Sequence, residues 1–187
     1  MSLTNLLIPT YTQMLKALSA WLAKADAQMP GGGADALLSR GLAADMFPLS
    51  TQIRFACVQA QEGVFRLRGE AFPASVEMLL NEGRNAREHP GSIADAQARI
   101  SETLVLLEEL APGTLDGNPE RAIEHALPMG MIFDLTAEQY ARDWALPQFY
   151  FHLMIAYSIL RSEGVELGKV DYVSHMFAYL RPGTMPS

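Results

Sequence analysis

The segment that most restricts how this chain can fold is Leu146 to Lys169, LPQFYFHLMIAYSILRSEGVELGK, which is apolar almost without interruption as far as Leu160. A helix that is apolar around most of its circumference needs neighbours on several sides, so the segment predicts a central element of a multi-helix core. Its longest apolar run, Phe149 to Leu160, is broken by His152 and falls short of the about 20 residues that span a bilayer. An imidazole in such a setting is either a core group with a hydrogen-bond partner or part of a site, and both readings stay open at this point. Gly164 follows the run as a left-handed C′ residue would.

Three other segments repeat apolar residues at helical spacing. Tyr11, Leu15, Leu18, Leu22 and Ala25 form one face, flanked by Met14 and Trp21, and this helix runs out before Pro30-Gly31-Gly32-Gly33. A second begins near Pro48, carries Leu49, Ile53, Ala56, Ala60, Val64 and Leu67, and ends at Gly69. A third opens on Ser92 with Asp95 three residues later, a capping box with the shorter acid, and shows Ile93, Ala96, Ile100, Leu104 or Thr103, Leu107 and Ala111 before Pro112-Gly113. The fourth starts at Thr136, where Gln139 completes a capping box, and includes the apolar run. Pro147 lies well inside it; proline removes an amide donor and clashes with the carbonyl four residues back, so it predicts a bend or a split.

Four such helices predict an all-α, four-helix bundle. Its connections are long: residues 31–47 and 70–91 are crossovers, the second with room for a short helix from Val76 to Glu88. Arg121 to Ala126 and Met131 to Leu135 flank Leu127-Pro128-Met129-Gly130, the pattern of a small β-hairpin whose turn uses Gly130. A chain of 187 residues suits one domain, 1–187, with a loose tail from about 181 to 187.

Composition narrows the function classes. A net charge of −7 with scattered Lys and Arg opposes binding to nucleic-acid phosphates. Cys57 is the sole cysteine, lies in a helical apolar register, and reads as a small buried hydrophobe without a disulfide. No basic segment precedes Leu6-Leu7-Ile8, and Pro9 interrupts that run, so no secretory signal is visible; a cytoplasmic protein without membrane insertion is expected.

Residues able to carry chemistry are few. A transition-metal site needs three or four N, S or O donors converging at about 2.0–2.3 Å, often from i and i+4 on one helix. The residue four before His152 is Gln148 and four after is Ala156, while His89, His125 and His175 fall in a crossover, the hairpin and the tail. An amide oxygen is a weak substitute for imidazole on such metals. No Gly-x-Ser-x-Gly elbow is present, and Gly31-Gly32-Gly33 lacks the lysine of a phosphate loop.

Several motifs resemble a known family. Ala145-Leu146-Pro147, Phe149, Phe151-His152, Ala156-Tyr157, Leu160-Arg161, Gly164-Val165, Leu167-Gly168-Lys169 and Asp171 are similar to the C-terminal signature of domain of unknown function family 1993. Asp45-Met46-Phe47-Pro48-Leu49 with Gln52 resembles its second-helix motif, and Arg99-Ile100 with Thr103 its third-helix pattern. The resemblance covers nearly the whole chain. It implies the DinB/YfiT-like fold, a four-helix bundle with a long crossover, in which many members place one histidine on helix two and two, four residues apart, on helix four. The matching positions here are His152 for the last, Gln148 for the first, and Phe55 or Ala56 on helix two, so the chain departs from that triad at two of three positions.

The expectation is a non-catalytic or small-ligand-binding homodimer with no cofactor. The alternative is an enzyme with a pocket lined by His152, Gln148, Gln52 and Asp45, in which His152 acts as a general base or holds a divalent metal. By resemblance to some superfamily members, that enzyme would be a thiol-dependent transferase or isomerase.

Overall fold

A computed structural model describes residues 2–184 of the chain. Helix α1 (Leu3–Gln28) starts at Ser2, whose hydroxyl accepts from the Asn5 amide, and buries the whole predicted face together with Met14 and Trp21. The first crossover holds a short 3-10 helix, Gly33–Ser39, that buries Leu37 and Leu38. Helix α2 (Leu49–Arg68) ends at Gly69, whose φ of 72° is the left-handed cap that glycine adopts without steric cost. The second crossover contains α3 (Ala74–Asn85), and α4 (Ile93–Glu108) begins at the Ser92–Asp95 capping box. Strands β1 (Ala122–Ala126) and β2 (Ile132–Thr136) pair antiparallel with His125 opposite Phe133, and Gly130 at φ 84° turns the chain between them.

Helices α2 and α6 (Leu146–Ser162) form the most extensive interface; α2 also packs on α3 and α4, and α1 packs on α4 and α6. Helices α1, α4, α2 and α6 therefore meet in a ring around one core. Tyr11, Trp21, Tyr140 and Phe149 are its largest fully buried side chains, with the Tyr11 and Phe149 rings edge to face at 4.8 Å. Burying an apolar side chain such as Phe149 contributes about 1.5–3 kcal/mol, whereas the Tyr11 and Tyr140 hydroxyls, buried without a protein partner, offset part of what their rings contribute. After Gly164 the short helix α7 (Lys169–Tyr172) returns to α1, where the Trp21 indole N–H donates to the Asp171 carbonyl and its ring stacks on Tyr172. The mostly helical DinB-like architecture, its long crossovers and its hairpin are as expected. Of the expected loose tail, residues 185–187 lie outside the described residues; Arg181–Thr184 are exposed.

Two features of the last long helix add to the expectation. The run from Thr136 is α5 (Ala137–Gln139), then a π-helical segment, Tyr140–Ala145, then α6. The amide of Leu146 donates to the carbonyl of Ala141, five residues back. That wider turn falls immediately before Pro147, where an α-turn would press the proline ring on the Asp143 carbonyl, so the proline's demand is met by inserting a residue into the helical repeat. Secondly, α6 is not enclosed on all sides. Phe149, His152, Leu153, Ala156, Ile159 and Leu160 are buried, whereas Phe151 (55% exposed) and Met154 (39%) face outward.

Candidate functional site

His152 lies at the α2–α6 interface. Its Nδ1 is 2.9 Å from Oε1 of Gln52 on α2, and the Gln52 amide nitrogen donates to the carbonyl of Phe47 at 3.2 Å. Because Gln52 presents its oxygen to the ring, Nδ1 is the protonated nitrogen. The rings of Phe55 and Phe151 stand edge-on to the imidazole, each at 5.3 Å. Burial in these apolar surroundings pushes the His152 pKa down to about 4, so the ring is neutral at pH 7.

Of the four residues nominated from the sequence, the fold brings His152 and Gln52 together. Gln148 is half-buried one turn away with no side-chain hydrogen bond, and Asp45 is exposed in the loop before α2. That loop is held instead by Arg87, whose guanidinium donates to the carbonyls of Ala44 and Met46. The third-helix motif residues also have packing roles: Arg99 grips Glu82 of α3 through two hydrogen bonds, and Thr103 accepts from the Gln61 amide. The donor set around His152 is one amide oxygen and two phenyl rings, which does not fit the divalent metal that the superfamily's histidine triad would hold. Among the described residues, no group of three or more His, Cys, Asp or Glu side chains converges in a metal-binding arrangement.

A second constellation escaped sequence reading. A cleft of about 440 Å³ opens between α2, α3, the hairpin and the π-helical segment. Strand β1 alternates in burial, and its inward residues are Ile123 and His125. The His125 ring is 3% exposed, lies 4.2 Å from the Trp144 ring and 5.6 Å from Tyr140, and neither nitrogen has a protein partner. Oε1 of Gln59, Nε of Arg66 and the indole Nε1 of Trp144 are also buried without a protein partner. Isolated buried polar atoms cost about 1–3 kcal/mol each, so their concentration in one cleft is not incidental to packing. Burial, then the nearby Arg66 charge, pushes the His125 pKa down to about 4; burial raises that of Glu62, against the pull of Arg66 and Arg84. Arg121 clamps the hairpin to the end of α2 by donating to the carbonyls of Arg66 and Leu67.

The sequence signals for this cleft were weak because its parts come from distant segments. The one local clue was alternation within the hairpin, which sets His125 on the same face as Ile123.

Comparison with known proteins agrees with the fold. A solved DinB family member from Shewanella denitrificans is 32% identical, with a TM-score of 0.74 over 98% of this chain and 96% of that one. A search of curated proteins found no match. The model of a domain of unknown function, number 1993, matches residues 3–173, and the chain belongs to that family.

Proposed function

We propose that this protein is a small-molecule-binding homodimer of the cytoplasm in which His152 holds the helices together and performs no chemistry. The observation that carries this reading is the His152–Gln52 bond. A neutral imidazole that donates from Nδ1 to a buried amide, is flanked by phenyl rings and, among the described residues, belongs to no converging group of carboxylate, thiol or imidazole side chains is arranged for packing; a general base or metal ligand needs such partners around its free ring nitrogen. The cleft beside His125 offers the molecule a concave, mixed apolar and polar place. Self-association is supported by the outward side chains of Phe151 and Met154 on α6 and by the half-exposed Phe47, whose ring packs on Phe55, apolar surface that a second copy would cover. Among the described residues no helix is long and apolar enough to cross a membrane, and the lone cysteine is buried, which suits a reducing compartment.

Elemental analysis of protein purified without chelators, together with its mass in solution, tests this reading. The expected result is a dimer with no stoichiometric zinc, nickel or iron, and a shift to monomer in Phe151→Glu. One ion per chain that disappears in His152→Ala overturns the assignment of His152, and a monomeric wild type overturns the dimer.

A further inference from the structure

We propose that the cleft beside His125 binds an uncharged, planar heteroaromatic amide, a molecule presenting a carbonyl acceptor and an N–H donor from a flat ring system. This rests on the reading of the protein as a small-molecule binder and assigns the site and the ligand class.

Charge balance excludes the strongly ionic alternatives. Glu62 and Arg66 from α2 and Glu77 and Arg84 from α3 all line the cleft, so its formal charges cancel, and an ion of either sign would meet repulsion as well as attraction. The unpartnered atoms define the polar edge of the ligand. Nε of Arg66 and Nε1 of Trp144 are donors; Oε1 of Gln59 is an acceptor; His125, neutral in this setting, supplies one of each. A carbonyl oxygen beside an N–H answers both sets, whereas a carboxylate leaves the Gln59 oxygen facing a negative charge. The walls define the shape. The Trp144 indole stands against His125, and Arg66 lies 4.8 Å above the Phe72 ring, so planar surfaces border the cleft along with the apolar side chains of Val76 and Leu80. Its volume lies in the about 300–1,000 Å³ range of small-molecule pockets. The π-helical segment carries both Tyr140 and Trp144 to His125, so the irregular turn that accommodates Pro147 also builds this wall.

The chain has two tryptophans, so ¹⁵N-labelled protein gives two indole N–H signals, and Trp144→Phe assigns them. Four probes are titrated: nicotinamide (neutral aromatic amide), benzoate (anion), benzylammonium (cation) and cyclohexanecarboxamide (non-aromatic amide). Nicotinamide is expected to shift the Trp144 signal saturably while Trp21 stays fixed, with the other three at least tenfold weaker. His125→Phe and Gln59→Leu, each checked for native circular dichroism and cooperative melting, are each expected to weaken nicotinamide about tenfold, the loss of one buried hydrogen bond to the ligand. Binding that leaves the Trp144 signal unmoved, or that survives unchanged in whichever of these variants folds, overturns the site while sparing the small-molecule reading. Tighter binding of benzoate or benzylammonium overturns the ligand class. No saturable shift with any probe, anywhere in the spectrum, overturns this proposal and counts against the reading beneath it; the metal and mass measurements are unaffected by any of these results.

Discussion

His152 and Gln52, one hundred residues apart in sequence, meet across the α2–α6 interface with Nδ1 2.9 Å from Oε1. Gln52 is fixed in turn by the Phe47 carbonyl, so the three groups form a short chain from the loop before α2 into the core. Removing either side chain leaves a buried partner unsatisfied. His152→Ala and Gln52→Leu are each expected to destabilise by about 1–3 kcal/mol in urea denaturation. The double variant should lose less than the sum of the singles, by about 0.5–3 kcal/mol, because it removes both partners. Full retention of stability in His152→Ala would sink the core assignment of this ring.

Acid should loosen the fold through the same imidazole. Unfolded, His152 takes up a proton below its ordinary value near 6.5; folded, it resists protonation until about pH 4. Between these values the unfolded chain binds more protons, so stability is complete above about pH 6.5 and falls as pH is lowered toward 4. With 1.36 kcal/mol per pKa unit, the loss from this one group is on the order of 3 kcal/mol. His125, depressed to about 4 by burial and Arg66, acts in the same direction. Urea midpoints measured from pH 7 to 4 should decline, and His152→Phe should flatten the decline. A midpoint indifferent to pH across this window would contradict the buried, neutral ring.

Cys57 is fully buried and its thiol is pushed up to about 12 by burial, so almost none is thiolate at neutral pH. Native protein should react with a disulfide reagent at pH 8 only as fast as it opens, whereas urea-unfolded protein should react at the rate of a free peptide thiol. Rapid stoichiometric modification of the native state, without loss of structure, would show that the sulfur is accessible.

What was legible in the sequence was whatever depends on local periodicity and caps. The inner faces of α1 and α2 follow spacing, the starts of α4 and α5 follow their capping boxes, and the hairpin follows alternation around Gly130. Gln52 was nominated from a motif, and the fold sets it against His152. The π-helical segment was not legible as such, because Pro147 demands relief from the α-turn without specifying how it is given. The cleft was not legible because Gln59 and Arg66, Phe72 and Val76, His125, and Trp144 come from four separate stretches. Nor did composition reveal that α6 turns Phe151 and Met154 outward, since an apolar side chain reads the same on a core face as on an open one.

Gly83 offers a test of how tightly α3 seats on α2. A Cβ added there would lie 2.5 Å from Cε1 and 2.7 Å from Cδ1 of Phe55, closer than real contacts allow, and the Thr51 hydroxyl ties the Gly83 carbonyl to α2 at 2.8 Å. Two effects oppose each other in Gly83→Ala. Helix propensity favours alanine by about 1 kcal/mol, whereas overpacking typically costs about 1–3 kcal/mol. The clash involves a ring wedged edge-on between Phe47 and His152, so Phe55 has little room to yield and overpacking should win. Gly83→Ala is therefore expected to lower stability. Phe55→Leu, which removes the clashing ring edge, should reverse the sign, so that in this background Gly83→Ala is neutral or stabilising. A stabilising Gly83→Ala in the wild-type background would mean that α3 can move away from α2 at little cost, and that the Phe55 ring is not held against His152 as tightly as its contacts indicate.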